Sequence, residues 1–423
     1  MRFLLAPALA GAWAWFMCGT TAAQGDAQVT LTLPDAVRRA ISQQPSLHGF
    51  EFQLRMQEAR IGEAGLRPST SVGLLVEDFA GTGARSDIES AQTTLSLSHV
   101  IELGGKRDAR VAAAEAGHGR LRTEKAVLQL DVTAEVARRF VESLHERELL
   151  RIAQEGLQQA EASHAAAGRR VQAALAPAVE VARAEVGLLQ AKLALEHAEH
   201  RLENSRVFLA AAMGDRTVRF GDTAGDLLAI DELAPIEELL EWMETSPDLM
   251  AFADEARLRD AQIRLAEVQR RPDIRTEFGF RRYELDDDVA FIAGFNVPLG
   301  TGNRARYGID VARAERSKAD TDRESAFLRA QAHLLAQYGE IKHAILEART
   351  LRDSVIPQLE SVWSKTGVAY QRGRYSYLEL MDAQRELLGA RRRLADVAAE
   401  FHILRIEIER LTGQSLEAAG VKP

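Results

Sequence analysis

AEVGLLQAKLALEHAEHRLENSRVFLAAAMG, residues 184–214, and AQRELLGARRRLADVAAEFHILRIEIERLTG, residues 383–413, are the two stretches whose comparison decides the fold. In the first, Ala184, Leu188, Ala191, Leu195, Ala198, Leu202, Ser205, Leu209 and Ala212 step by four and three. In the second, Ala383, Leu387, Ala390, Leu394, Val397, Phe401, Leu404, Ile408 and Leu411 take the same places 199 positions later, and the runs stop at Gly214 and Gly413. Three-four spacing is the seam of a long helix packed along a partner, and its alanines permit close approach. Two copies in one register mean an internally duplicated architecture.

The rest of the unit recurs in the same order. Pro45 and Pro247 each precede an amphipathic helix that ends near Pro68 or Pro272, strand-like runs follow, and Leu103-Gly104 matches Leu299-Gly300. The chain therefore divides into a first repeat over 24–214 and a second over 215–423. With 423 residues and only 11 prolines, several apolar-periodic stretches outrun an ordinary helix. A net charge of −9 offers no basic face for nucleic acid, and the local cluster Arg391, Arg392 and Arg393 reads as a solvated helix face.

Residues 1–23 read as a removable signal peptide: Arg2 precedes an apolar stretch from Phe3 to Met17, and Thr20, Thr21, Ala22 and Ala23 supply a cleavage site. Cys18 is the only cysteine, so cleavage leaves no thiol for a disulfide. Phe16 and Met17 stand where lipid-attachment signals place small residues, which argues against lipidation of Cys18.

After residue 25 no window of about 20 residues is free of charge, so no spanning helix is expected. A closed β-barrel is the other structure that satisfies its backbone in a bilayer. Four segments have the length of transmembrane strands: 69–79, 90–101, 273–283 and 289–298. In the last, Val289, Phe291, Ala293, Phe295 and Val297 fall on one face, which predicts that Phe291, Phe295 and Val297 meet lipid while Ala290, Ile292 and Asn296 face inward. Four strands cannot close a barrel and leave two raw edges, whereas three chains pooling theirs would supply twelve. A soluble four-stranded sheet covered by helices is the alternative, and it leaves the long helices without a role.

Periodic runs over about 107–172 and 304–371 predict those helices, each roughly 100 Å long at 1.5 Å per residue. They return as helices over 178–213 and 376–412, so each half is a strand pair feeding a helical hairpin. Pro357 predicts a kink or break in the second long helix.

Over residues 31–413 this pattern resembles the TolC family of outer-membrane efflux channels. The most specific match is the segment AYQRGRYSYLELMDAQ, residues 369–384, and ELGGKR, residues 102–107, resembles the CzcC-like branch that serves heavy-metal RND efflux. Ala174 departs from the family pattern by standing where a hairpin glycine is expected, with Pro177 following. The resemblance implies a mainly α chain with transmembrane β structure, a homotrimer with a 12-stranded β-barrel in the outer membrane, and a periplasmic α-helical barrel. It implies a passive duct with no cofactor, fed by an inner-membrane RND pump through a periplasmic adaptor protein. Heavy-metal cations are the implied cargo, with organic compounds as the alternative, and a periplasmic coiled-coil adaptor is the rival protein class. A chain of that class usually carries one hairpin, and this one has two.

A gate is expected at the helix tips, farthest from the strands. Glu379 and Asp382 lie three apart on one helical face just after the second turn, so a threefold ring of them would favour cations. The equivalent positions of the first repeat are Glu180 and Arg183, and the family resemblance adds Tyr370 as an inter-helix hydrogen-bond partner. The plain alternative is a pair of solvated acids favoured by the helix dipole. Adaptor docking is expected at the hairpin tips, Ala174 and Leu175 in one and Arg372, Gly373 and Arg374 in the other. Other motifs carry little. Gly104-Gly105-Lys106 lacks the upstream glycine of a phosphate loop, His197 and His200 lie on polar faces of the seam helix rather than forming a metal site, and no nucleophile and base stand together.

Overall fold

The structure, a computed structural model, describes residues 30–413. The signal-peptide reading of residues 1–23, with Cys18, lies outside the described residues. Along the chain come α1 (Leu33–Gln43), α2 (Pro45–Ala64), β1 (Ser71–Glu77), β2 (Gln92–Ile101), α3 (Lys106–Gln172) and α4 (Val179–Ala212). The series then repeats as α5 (Ile236–Glu244), α6 (Pro247–Val268), β3 (Ile274–Tyr283), β4 (Asp288–Asn296), α7 (Thr301–Thr350), a π-helical turn (Leu351–Val355), α8 (Ile356–Gln371) and α9 (Tyr377–Thr412). All four expected strands form, and the short helices α1 and α5 are elements that the repeat spacing does not reveal.

Local chemistry sets the ends of these elements. Pro45 and Pro247 stand in the first turn of α2 and α6, where a missing N–H is no loss. Gly214 and Gly413 terminate the seam helices in the left-handed region, at φ of 87° and 70°. Each also lies against the junction between the first two helices of its own repeat: a Cβ on Gly214 would sit 2.9 Å from the Gln43 carbonyl oxygen, and one on Gly413 would sit 2.7 Å from Pro247 Cδ. Only glycine meets both demands.

The break expected at Pro357 occurs as the π-helical turn just ahead of it. Proline offers no N–H and its ring would press on the carbonyl of Asp353, so the preceding turn widens by one residue. In the first repeat, α3 has no proline and runs unbroken for 67 residues.

The seam is buried within the chain. Ala184, Ala198, Leu202 and Leu209 of α4 close on α3, while Leu387, Leu394, Val397, Phe401 and Ile408 of α9 are all buried. α9 packs between α3 on one side and α7 with α8 on the other, whereas α4 has α3 as its main neighbour. Leu394 and Phe401 belong to an apolar core shared with α5 and α7, so they pack within the chain. Two of the three clustered arginines pair with neighbouring helices, Arg391 with Glu155 and, at 2.6 Å, with Glu360, and Arg393 with Glu347 at 2.6 Å, while Arg392 is exposed.

The strands form one antiparallel sheet in the order β1-β2-β3-β4, so the β2–β3 pairing joins the two repeats. Register across the sheet aligns Leu74 with Leu95, Phe280 and Phe291, and Val72 with Leu97, Phe278 and Ala293. The alternate rows on the other face align Gly73, Ser96, Gly279 and Ile292, and Ser71, Ser98, Glu277 and Gly294. One face is thus apolar and the other polar. On the polar face Arg281 reaches across two strands, donating to Thr94 Oγ1 at 2.9 Å, Gln92 Oε1 at 3.2 Å and Glu77 Oε2 at 3.1 Å. Among the described residues nothing covers the apolar face: Phe291 is 63% exposed and Phe295 82%. Ala290 and Ile292 are half-buried while Asn296 on the same face is exposed, and Val297 lies past the end of β4 and is half-buried.

Candidate functional site at the helix tips

Both hairpins turn by the same backbone device. Gly373 has φ of 73°; its N–H donates to the Tyr370 carbonyl at 3.0 Å, and the N–H of Arg374 donates to the Ala369 carbonyl at 2.9 Å. In the first hairpin Ala174 has φ of 57°; its N–H donates to the Val171 carbonyl at 3.0 Å, and the N–H of Leu175 donates to the Arg170 carbonyl at 2.8 Å. These paired bonds cap the last carbonyls of α8 and α3. Ala174 therefore does adopt the left-handed geometry of the missing glycine, at a cost of about 1–2 kcal/mol for an L-residue.

Four helices meet here. Ala167 of α3, Ala184 of α4, Tyr370 of α8 and Tyr377 and Leu380 of α9 form a small buried core, with Trp363 and Met381 packed against it. Tyr370 is its centre. Its hydroxyl donates to Glu180 Oε2 at 3.1 Å, its ring meets the Tyr377 ring edge-on with centroids 6.1 Å apart, and the Arg170 guanidinium lies 4.3 Å from its ring centroid. Arg170 also donates to the Tyr370 carbonyl at 2.6 Å and to the Leu175 carbonyl at 3.5 Å, so one side chain touches both turns. Burial, followed by the Glu180 hydrogen bond, pushes the Tyr370 hydroxyl up to about 12, so it stays a donor. Burial, and then Glu180, also raises Tyr377.

The other expected gate residues stand differently. Glu379 is committed to its own helix start: its carboxylate accepts from the Ser376 N–H at 2.7 Å and the Ser376 hydroxyl at 2.9 Å, while its N–H donates to Ser376 Oγ at 3.3 Å. The Ser376 N–H and then its hydroxyl hold that carboxyl below its ordinary value. Asp382 pairs with Arg385 at 3.3 Å on the same helix, and both are exposed. Within the chain Tyr370 reaches Glu180, and neither Glu379 nor Asp382 is its partner. Leu175, Arg372, Gly373 and Arg374 are exposed at the turns, next to Val179 and Leu378.

Arg170 and Tyr377 are the members that sequence reasoning missed. A cation in the last turn before a hairpin is a weak sign by itself, because the helix dipole favours it anywhere. Its specific partner is 200 residues away. Among the described residues no cluster of histidine, cysteine or carboxylate side chains is arranged to hold a metal ion, and no helix is long and apolar enough to cross a membrane.

Residues 36–215 and 240–414 match the model of the outer membrane efflux protein family. The chain is 28% identical over 385 residues to the cobalt-zinc-cadmium resistance protein CzcC of Cupriavidus metallidurans, covering 91% of this chain and 90% of that one. It is 22% identical to the nickel and cobalt resistance protein CnrC of the same organism, over 73% of this chain and 72% of that one. Among solved structures, the outer-membrane channel OprN superposes with a TM-score of 0.75 at 18% identity, over 90% of each chain. The outer membrane protein VceC of Vibrio cholerae does so with 0.71 at 19%, over 90% of this chain and 96% of that one. The duplicated hairpins, the amphipathic sheet and the family match together make this chain a member of the outer membrane efflux protein family, a channel of the outer membrane and not an enzyme.

Proposed function

We propose that three copies of the chain close a 12-stranded barrel in the outer membrane and a helical tunnel in the periplasm, as the exit duct of a tripartite RND efflux system. The sheet carries this reading: its apolar face is uncovered and its outer strands β1 and β4 have open edges, a combination that closure within a bilayer removes. The outer helices carry the matching feature. Val186, Leu189 and Leu193 form an exposed row on α4, and Leu328, Leu335 and Leu346 another on α7. We divide the chain into a signal peptide over 1–23 and efflux repeats over 24–214 and 215–423, a division supported by the two capping glycines Gly214 and Gly413.

The cargo is heavy-metal cations, supported by relatives whose names specify cobalt, zinc, cadmium and nickel resistance. The periplasmic adaptor docks on the tips, where Leu175, Tyr375 and Leu378 are exposed around the turns. Tyr370, Glu180 and Arg170 form the latch that holds the two hairpins of one chain together, and Glu379 and Asp382 supply the threefold ring of carboxylates at the mouth. Adaptor engagement opens the tip by separating the hairpins, a two-state movement biased by few contacts.

Two measurements test this. The protein should fractionate with the outer membrane as a heat-sensitive trimer, and Leu189→Asp with Leu193→Asp should abolish the trimer, since charge would then be buried between chains. A folded, membrane-inserted monomer from the wild type would end the proposal. Deletion should lower tolerance to cobalt, zinc or cadmium; lost tolerance to organic compounds alone would reassign the cargo.

A further inference from the structure

The two ends of the sheet carry opposite charge. The four segments that lead between sheet and helices, 65–70, 101–110, 268–275 and 297–307, contain nine basic and three acidic residues in a chain of net charge −9. The hairpin ends, 77–92 and 281–288, contain eight acidic and three basic residues. At the helix end two of the three carboxylates are already engaged, Glu102 by Arg110 and Asp273 by Lys106 at 2.7 Å. Arg67, Arg107, Arg270, Arg271 and Arg304 are exposed there and make no ion pair among the described residues.

Contacts join the four segments that carry these arginines into one collar. Arg107 Nε donates to the Gly65 carbonyl at 2.6 Å, and the Thr301 hydroxyl donates to the Arg270 carbonyl at 2.8 Å. The Arg271 side chain lies over Gly104, where a Cβ would collide with its Cδ. Apolar side chains stand exposed among them: Leu66, Leu299 and Tyr307, with Leu299 at 93%. The collar also continues directly from the uncovered apolar face of the sheet. Long cationic side chains beside exposed apolar ones suit the boundary of a bilayer, with the apolar groups toward the acyl chains and the guanidinium groups toward phosphate oxygens.

We propose that this collar binds the anionic phospholipid headgroups of the periplasmic leaflet and so holds the barrel at a defined depth. The inference rests on the barrel reading above. Guanidinium groups suit this role better than ammonium groups because they are weakly hydrated and grip a phosphate with two parallel hydrogen bonds.

Purified channel in detergent, offered phosphatidylglycerol or phosphatidylcholine, provides the test, with retained lipid counted by native mass spectrometry. The wild type should prefer phosphatidylglycerol. The triple variant Arg270→Gln, Arg271→Gln and Arg304→Gln should lose that preference by about fivefold for each arginine removed. Removing Arg323 and Arg392, exposed on α7 and α9, should leave it unchanged. Rising ionic strength should erode the wild-type preference, because the contacts are exposed. Undiminished preference in a triple variant that still assembles overturns the inference. A changed ion selectivity of its bilayer currents with lipid retention intact does so too, since it would place these arginines in the bore. Failure of the wild type to insert at all would instead remove the barrel reading beneath it.

Discussion

Tyr370→Phe removes one oxygen atom from the most connected side chain at the tips and tests the latch directly. Phenylalanine keeps the ring, so the Arg170 contact at 4.3 Å and the edge-on Tyr377 contact at 6.1 Å survive. What disappears is the 3.1 Å hydrogen bond to Glu180 Oε2. A hydrogen bond to a charged group contributes about 1.5–3 kcal/mol when its partner is left without a substitute. The lower figure alone shifts a protomer's latched-to-unlatched ratio about tenfold, and three latches opening together multiply to about a thousandfold. Planar-bilayer recording of the reconstituted trimer should therefore show a much higher resting open probability in Tyr370→Phe. Glu180→Gln, which retains a neutral acceptor, should have a smaller effect. An unchanged resting state in correctly assembled Tyr370→Phe trimers would refute the latch. Alkaline pH offers a second reading of the same contact. Because the folded hydroxyl sits at about 12, above its ordinary 10.0, its stabilising contribution is complete below 10 and is lost as pH rises through about 12. Tyrosinate absorbance should show this residue ionising late, with opening following it.

Ala174→Gly should stabilise the first hairpin, relieving about 1–2 kcal/mol of left-handed strain against about 0.5–1 kcal/mol of added chain entropy, and thermal unfolding would register the difference. Phe291→Arg should impair insertion by about 2–4 kcal/mol in a membrane-folding titration, whereas Ile292→Arg on the polar face should be tolerated; equal effects would mean that the faces are assigned backwards. Glu379→Gln with Asp382→Asn removes both charges while preserving a side-chain acceptor for the Ser376 cap, so a loss of cation selectivity and divalent block in bilayers would mark a charged ring. Unchanged selectivity would return the two acids to solvated helix-start residues.

The sheet and the tips are linked by division of labour along the molecule. At one end, alternation of side chains makes a surface that only a bilayer covers; at the other, a small core of two tyrosines and alanines holds four helix ends with few contacts. If the tips open as proposed, a latch of limited area suits them, because a ligand need supply only the differential free energy of those contacts. Between the two ends the long helices are tied by inter-helix ion pairs such as Arg410 with Asp131 at 2.6 Å and Arg393 with Glu347 at 2.6 Å. Each is partly exposed and contributes little alone, so rigidity comes mainly from the buried seam.

The amino-acid sequence alone determined the repeat, the four strands, the polar and apolar faces, the two hairpins and the position of the tips. All of these depend on period, capping and turn chemistry within a few residues of each other: the heptads ending at Gly214 and Gly413 and the alternation around Phe291. Only the tertiary structure decided that α9 is buried between α3 and the α7–α8 helix while α4 keeps one face open, and that Tyr370 meets Glu180 with Arg170 stacked on its ring. Those outcomes turn on the axial offset and rotation of one hairpin against another. Each helix is compatible with many such offsets, and packing of the whole bundle selects one, bringing together side chains that lie 190 and 200 residues apart in the chain.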